Sequence, residues 1–364
     1  MDRFIATSEQ LARARNSGTG LGIAMLGAVG ALGVYLLTLS SGLGWHDSAE
    51  LALRASRLGA THSPGSPLHT ILGYLLARLA DEPALATNVF SAVSMGVAAG
   101  GLALLVGWMS GRLYFAAALL FAFSYQVWAS AIVTELYGPA VMFVVLSSLC
   151  LWRWYLEPSR GWLIAGVSAY GAALATWFAN VLFVPAIVWL VFARRRGFSG
   201  DLFIACIVIG VAILITAALN IWLASRIPPF GPDVPDSLSG LFRYMSGAMH
   251  EPLAARDGSF YLSRIIEHLS IFSRNYLWLG VPFGLIGMVR LTRANPGFGG
   301  YLILLFAIQI GYFTLFGSGD YYTMVVVAYL VFSLWLVDGA AFLTAYSRFS
   351  RYAVLTLIAA IIAV

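Results

Sequence analysis

Between Trp45 and His69 the chain concentrates two acids (Asp47, Glu50), three histidines (His46, His62, His69), two arginines (Arg54, Arg57) and a Pro64-Gly65 turn. Carboxylates and imidazoles are the side chains that most readily pass protons between reacting groups. Only 10% of the 364 residues are charged, so a polar stretch this dense in a mostly apolar chain reads as an active-site loop. A plainer reading stands beside it. Asp47 and Glu50 are three apart at the start of an amphipathic helix expected over 48–58, which is the spacing of a capping box. A cap, however, requires neither Trp45, His46 nor His62 at its side.

The elements that must hold this stretch are legible in composition. Hydrophobic residues make up 60% of the chain and the mean hydropathy is +0.85, far above soluble proteins, which are about half apolar. Apolar runs of roughly 18 residues or more recur, each long enough to cross about 30 Å of hydrocarbon. The runs are continuous, so they form helices and not the alternating strands of a barrel. The expected fold is all-α, a single polytopic transmembrane helical bundle over 1–364 with about 11 spans and interfacial helices in its first outer loop. The first span, 18–43, follows Arg3, Arg13 and Arg15 and reads as an uncleaved signal anchor. The outer loop 44–83 carries the polar stretch and an apolar piece, 67–80, too short to cross. Ser66 is its expected N-cap and Pro67 its first helical residue. Further spans are expected near 84–109, 113–130, 138–156, 161–178, 180–193, 202–225, 271–289, 299–316, 321–343 and 352–364. The last run is short for a span, so a C-terminal part is expected to be missing.

Charge orients this arrangement. Arg112, Arg153, Arg160, Arg194, Arg195, Arg196, Arg290, Arg293, Arg348 and Arg351 fall on the side of the N-terminal arginines, which the positive-inside rule makes cytoplasmic. Every histidine, His250 and His268 included, falls on the opposite side with most of the acids. All 21 basic residues are arginines at span ends, so the net charge of +5 points to membrane anchoring and to no nucleic-acid partner. Cys150 and Cys206 lie inside apolar runs and indicate neither a disulfide nor a cysteine metal site. A second outer loop, 226–268, opens with Arg226-Ile227-Pro228-Pro229-Phe230-Gly231-Pro232, whose prolines exclude regular helix. A short helix over 238–249 follows, with Arg243, Tyr244 and His250.

Three blocks of this chain resemble a known family. Trp45-His46-Asp47-Ser48-Ala49-Glu50 with His62-Ser63-Pro64-Gly65-Ser66-Pro67-Leu68 is similar to a W-D-S-G-E and H-P-P-G-x-P-L pattern. The run from Phe123 through Trp128 to Glu135-Leu136-Tyr137 is similar to F-x-x-x-x-W-x-x-A-V-x-x-E-V-Y. Arg226, Pro228-Pro229 and Gly231-Pro232-Asp233 approximate an Arg, P-P and G-D-P turn. In order and coverage these resemble the GT-C superfamily, integral-membrane glycosyltransferases that use polyprenyl-phosphate-linked sugars. The resemblance is to the family, long known only as a domain of unknown function, that includes the transmembrane protein 260 O-mannosyltransferase. The sequence departs from the pattern at Ala49 for Gly, at the inserted His46, and at Thr176-Trp177-Phe178-Ala179-Asn180, where an Asn-His pair is usual.

The resemblance implies a GT-C-like bundle that moves a sugar from a polyprenyl-phosphate donor to a protein or glycan acceptor on the non-cytoplasmic side, with the bilayer as its other partner. The expected location is a bacterial inner membrane, with the site facing the periplasm or exterior. An acceptor hydroxyl must lose a proton, which makes Asp47 the expected base and Glu50 its assistant. If a divalent cation takes part, Asp47 and Glu50 are its expected ligands; no other cofactor is implied. The leaving phosphate calls for a fixed cation, Arg226 first and Arg57 or Arg243 second, although an interfacial anchor explains each arginine equally well. Glu135 is expected at the mouth of its span as an active-site acid or as half of a buried ion pair. His62 is expected to bind donor or phosphate, or to stabilise the turn beside it. His46 and Asp320 complete the candidates, Asp320 doubling as a helix cap. Two other classes remain: a carrier or flippase of lipid-linked saccharides, and a non-catalytic scaffold. The first would place charges at mid-bilayer on broken helices in matching halves, which the sequence does not show. The second would leave the acids without a common cavity.

Overall fold

The structure, a computed structural model, describes residues 17–110, 114–194, 198–231, 234–247, 257–315 and 322–344, with 352, 356, 359 and 360. Asp320 and His250 lie outside these residues, as do Arg3, Arg13, Arg15, Arg112, Arg195, Arg196, Asp233, Arg348 and Arg351. All regular elements among the described residues are helical. Around the polar stretch they are α1 (Ser17–Leu37), α2 (Ser48–Arg57), α3 (Pro67–Ala77) and α4 (Pro83–Met109). Next come α5 (Tyr114–Ala122), α6 (Tyr125–Ala131), α7 (Tyr137–Leu156), α8 (Arg160–Thr176), a 3-10 turn (Phe178–Phe183) and α9 (Val184–Arg194). The last six are α10 (Phe198–Arg226), α11 (Leu238–Ser246), α12 (Gly258–Asn275), α13 (Gly280–Ala294), α14 (Pro296–Leu315) and α15 (Val326–Thr344).

Helix starts follow the local chemistry. Pro67 and Pro83 open α3 and α4, where a missing N–H costs nothing. Ser237 and Asp257 cap α11 and α12 by accepting from the Gly240 and Phe260 amides at 3.0 and 2.9 Å. The Ser66 side chain does not cap α3; its hydroxyl instead meets Thr61 Oγ1 at 3.1 Å.

Several apolar runs break, so fewer of the described helices are long and apolar enough to cross a membrane than the runs suggest. Among the described residues five helices are long and apolar enough to cross a membrane: α4, α7, α10, α14 and α15. The run 113–130 splits into α5 and α6 with a 70° bend, and the pair together would make a sixth. The run expected over 271–289 is interrupted where Leu277 and Trp278 take positive φ (51° and 57°), leaving α12 and α13 as separate helices. The expected span 180–193 begins as the 3-10 turn. Hydropathy averaged over a window does not register these breaks, since most residues at them are apolar or aromatic.

The longest element at the centre of the bundle, α4, carries polar side chains in its first turns, and these fix the loops above it. Asn88 Nδ2 donates to the carbonyls of Ser40 and Gly42 at 2.9 Å each, and Asn88 Oδ1 accepts from Thr134 Oγ1 at 2.6 Å. Ser91 Oγ accepts from the Glu135 amide and donates to the Glu135 carbonyl, both at 3.0 Å. Polar groups inside a membrane bundle hold neighbouring backbone because they have no water to bond instead. The segments leading into the polar stretch and into α7 are thereby tied to one helix.

Candidate active site

Asp47 occupies the N-cap of α2, yet its side chain makes no capping bond there. Glu50 is committed elsewhere: Oε1 accepts from the His62 backbone N–H at 2.6 Å and Oε2 lies 2.9 Å from His62 Nδ1. The other ring nitrogen, Nε2, faces Asp47 Oδ2 at 3.5 Å. The capping-box geometry is therefore absent, and in its place stands a row of three, Glu50, His62 and Asp47. Asp47 keeps 41% of its side-chain surface open against 17% for Glu50, so Asp47 is the carboxylate a substrate can reach. Among the described residues no three His, Cys, Asp or Glu side chains gather as a metal ion requires. The two carboxylates face opposite sides of one imidazole and do not converge on a point between them.

The loop that presents His62 is gripped from behind. Ala60 N–H donates to the Ile227 carbonyl at 3.0 Å, so the segment after Arg226 acts as a backboard for the loop. Tyr244 of α11 donates its hydroxyl to the Thr61 carbonyl at 2.7 Å, and Ser63 Oγ donates to the Tyr244 carbonyl. Burial pushes the Tyr244 phenol well above its ordinary pKa, which keeps it a donor. Gly65 takes φ +83°, and a Cβ there would stand 2.5 Å from Asn220 Oδ1 and 2.8 Å from Tyr244 Oη. Gly65→Ala is accordingly expected to cost about 2 kcal/mol or more, read as a fall in thermal midpoint of the detergent-solubilised protein.

The arginines and remaining histidines divide by position. Arg54 is 4% exposed, its guanidinium 3.9 Å over the Phe230 ring, with Glu50 one helical turn earlier. Burial pulls its pKa down and the Glu50 charge pulls it back, so it braces the loop from the protein side. Arg57 is exposed on α2, and Arg226 is exposed at the end of α10 with its guanidinium 5.6 Å over Trp222. Arg243 is exposed on α11, next to buried Tyr244. His69 is fully buried in α3 against Phe90, both ring nitrogens without a hydrogen-bond partner. Burial lowers its pKa from 6.5 to about 4. Below pH 6.5 the unfolded chain takes up a proton that the folded chain refuses, so stability falls as pH drops toward 4, by up to about 3 kcal/mol. The thermal midpoint is expected to decline between pH 7 and 5, and to decline less in His69→Met.

Asp47, His46 and His62 open onto a cavity of about 1060 Å³ whose other walls are mainly apolar. Ile213 and Ala217 of α10, Val181 and Leu182 of the 3-10 turn, and Phe242 and Met245 of α11 supply much of that lining. Tyr137, Trp177 and Phe313 form an aromatic wall, with Trp177 stacked on Phe313 at 5.3 Å and Tyr137 edge-on to Trp177 at 5.2 Å. In the sequence these aromatics stand at helix ends, where an interface belt would also place them. One signal was present: Trp177 stands where the family pattern departs, and it lines the cavity. Glu135 is 3% exposed and is held by Ser91 through its backbone; the cavity lining takes its neighbours Leu136 and Tyr137 instead. Arg57, Arg226 and Arg243 are not among the lining residues either. Asn180, in the departing segment, closes the end of α8 by donating to the Ala173 carbonyl at 3.0 Å.

Residues 47–198 match the family described as protein O-mannosyl-transferase TMEM260 N-terminal domain. A relative from Dictyostelium discoideum, protein O-mannosyl-transferase tmem260, is 23% identical over 319 residues, covering 77% of this chain and 38% of that protein. Among solved structures, ArnT from Cupriavidus metallidurans bound to undecaprenyl phosphate aligns with a TM-score of 0.63 at 16% identity, over 92% of this chain and 62% of that one. ArnT in the apo state aligns with the same TM-score and coverage at 17% identity. The chain thus spans 38% of the length of the curated relative it matches. The likeness to ArnT concerns the fold, while the family match concerns the segment that holds Asp47, Glu50, His62, Glu135 and Tyr137. Taken together they show an integral membrane helical chain with the fold of ArnT, similar over residues 47–198 to the TMEM260 N-terminal domain.

Proposed function

We propose that the protein transfers a sugar from a polyprenyl-phosphate-linked donor to a hydroxyl acceptor on the non-cytoplasmic side, with Asp47 as the base. The observation that carries this reading is that Asp47 and His62 line a cavity of about 1060 Å³ that is otherwise mostly apolar. A reactive sugar on a long hydrocarbon tail needs such a pairing: apolar walls for the carrier and a proton acceptor at its head. The acceptor oxygen bonds to the anomeric carbon as the bond from that carbon to the phosphate oxygen breaks. The leaving polyprenyl phosphate keeps the electron pair, and Asp47 takes the hydroxyl proton. Arg243 lies between cavity-facing Phe242 and buried Tyr244, and is the proposed cation for the departing phosphate. A protein hydroxyl is the acceptor class that the name of the Dictyostelium relative supports.

The helix directions support this facing of the site. Tyr137 begins α7 at the cavity and Arg153 ends it; Phe313 ends α14 at the cavity, while Arg290 and Arg293 end the preceding α13. Arginines thus gather at the end away from the cavity, which supports a cytoplasmic placement for them and an outer placement for Asp47. The test is direct. Purified protein in nanodiscs, given a labelled polyprenyl-phosphate sugar and serine- or threonine-containing peptides, is expected to release polyprenyl phosphate in step with glycopeptide. An intact donor, or a donor moved between leaflets without being cleaved, would overturn the reading.

A further inference from the structure

We propose that Glu50 is a positioning residue: it holds the His62 ring so that Nε2 receives the proton Asp47 collects from the acceptor. The inference rests on the transfer reaction proposed above and assigns His62 a place in it. An ionised carboxylate only accepts hydrogen bonds, so the 2.9 Å contact from Glu50 Oε2 puts the hydrogen of His62 on Nδ1. The second grip, from Oε1 to the His62 backbone N–H at 2.6 Å, fixes the residue as well as its ring. A neutral imidazole carries one N–H, so Nε2 presents its lone pair toward Asp47 Oδ2 at 3.5 Å. In that neutral form a proton taken up by Asp47 meets the Nε2 lone pair across this gap.

The transfer balances without a co-reactant. Asp47 becomes neutral on taking the hydroxyl proton, passes it to His62 Nε2, and returns to a carboxylate ready for the next acceptor. The imidazolium is held by Glu50 through Nδ1–H until Nε2 gives the proton to water. The 21% exposure of the His62 side chain leaves water that access. Glu50 touches neither the acceptor nor the donor; it acts through His62.

Two readouts test this, one of which needs no turnover. In nitrogen-15 histidine spectra of the whole protein, with the His62 signals assigned by their loss in His62→Gln, His62 is expected as the Nδ1–H tautomer. Glu50→Gln is expected to mix the two tautomers. In the transfer assay Glu50→Gln is expected to lower kcat by about 100-fold while donor KM stays within about twofold, since the base loses its proton outlet and not its substrate. His62→Ala is expected to regain turnover on addition of free imidazole. An Nε2–H tautomer in the unmodified protein overturns the proposal. So does a Glu50→Gln loss that falls wholly on KM, or a His62→Ala protein that imidazole leaves unchanged. If the unmodified protein cleaves no donor, the reaction assigned above fails, while the tautomer spectra still judge what Glu50 does to His62.

Discussion

Asp47→Asn is expected to lower sugar transfer by about 10³-fold, the middle of the range for loss of a general base. The thermal midpoint should stay within a few degrees of the unmodified protein. Both halves of that statement follow from the geometry. The Asp47 side chain makes no cap bond to α2 and keeps 41% of its surface open, so the start of that helix does not depend on it. Asparagine retains the shape and can still approach His62 Nε2, but it has no lone pair basic enough to take a hydroxyl proton. Asp47→Glu tests placement as distinct from charge, because the added methylene carries the carboxylate toward His62 or out into the cavity. Turnover of Asp47→Asn within tenfold of the unmodified protein, in a monodisperse preparation, would remove Asp47 from the reaction.

The largest effect on the fold is expected far from that loop. At Gly287 of α13 a Cβ would press on the Trp335 carbonyl oxygen of α15 and stand 2.8 Å from the Gly339 amide nitrogen. At Gly339 the reciprocal Cβ would press on the Phe283 carbonyl oxygen. Every atom met is backbone, so no side chain can swing aside, and the two helices would have to part. Gly287→Val is expected to cost about 3 kcal/mol or more, overpacking of this kind being at its worst where backbone is the neighbour. The protein should extract in low yield or aggregate on size exclusion, and the Phe332 and Trp335 side chains of α15 should become accessible to lipid quenchers. Gly311, with open space around its Cβ position, is the matched control: Gly311→Ala should leave yield and midpoint unchanged. A monodisperse Gly287→Val protein with an unaltered midpoint would show that the α13–α15 contact is looser than the backbone distances require.

Much of the site was legible in the residues themselves, and the limits have physical causes. Asp47 and Glu50 stood out because acids are rare in an apolar chain, and α2 begins at Ser48 where the pattern put it. What the pattern could not give was their division of labour. Glu50 finds His62 twelve residues later only because the returning loop is pinned by Ile227 and Tyr244, which come more than 150 residues further along. The second outer loop was read for its arginine, yet the backbone carbonyl of Ile227 is what touches the first loop, and Arg226 points away onto Trp222. A carbonyl is present at every residue and so leaves no signature. The same holds at Leu277 and Trp278: the reversal that separates α12 from α13 is a matter of φ, and apolar residues hide it inside what reads as a continuous span. His69 shows the converse error. Its type suggested chemistry, but its place on the inner face of α3 makes it a packing residue beside Phe90.

The polar head of α4 also bears on how the protein sits in its lipid. At 27 residues the helix is about 40 Å long, and the hydrocarbon it crosses is about 30 Å thick. Its surplus length lies at one end or the other, or is taken up as tilt. Because Asn88 and Ser91 bind the backbone at Ser40, Gly42 and Glu135, the loops on both flanks of the site ride on that end of the helix. The height of Asp47 over the acyl chains is then governed by the immersion depth of a single rod, and a thicker or thinner bilayer shifts the whole cavity relative to the phosphate plane, where the proposed donor would be anchored.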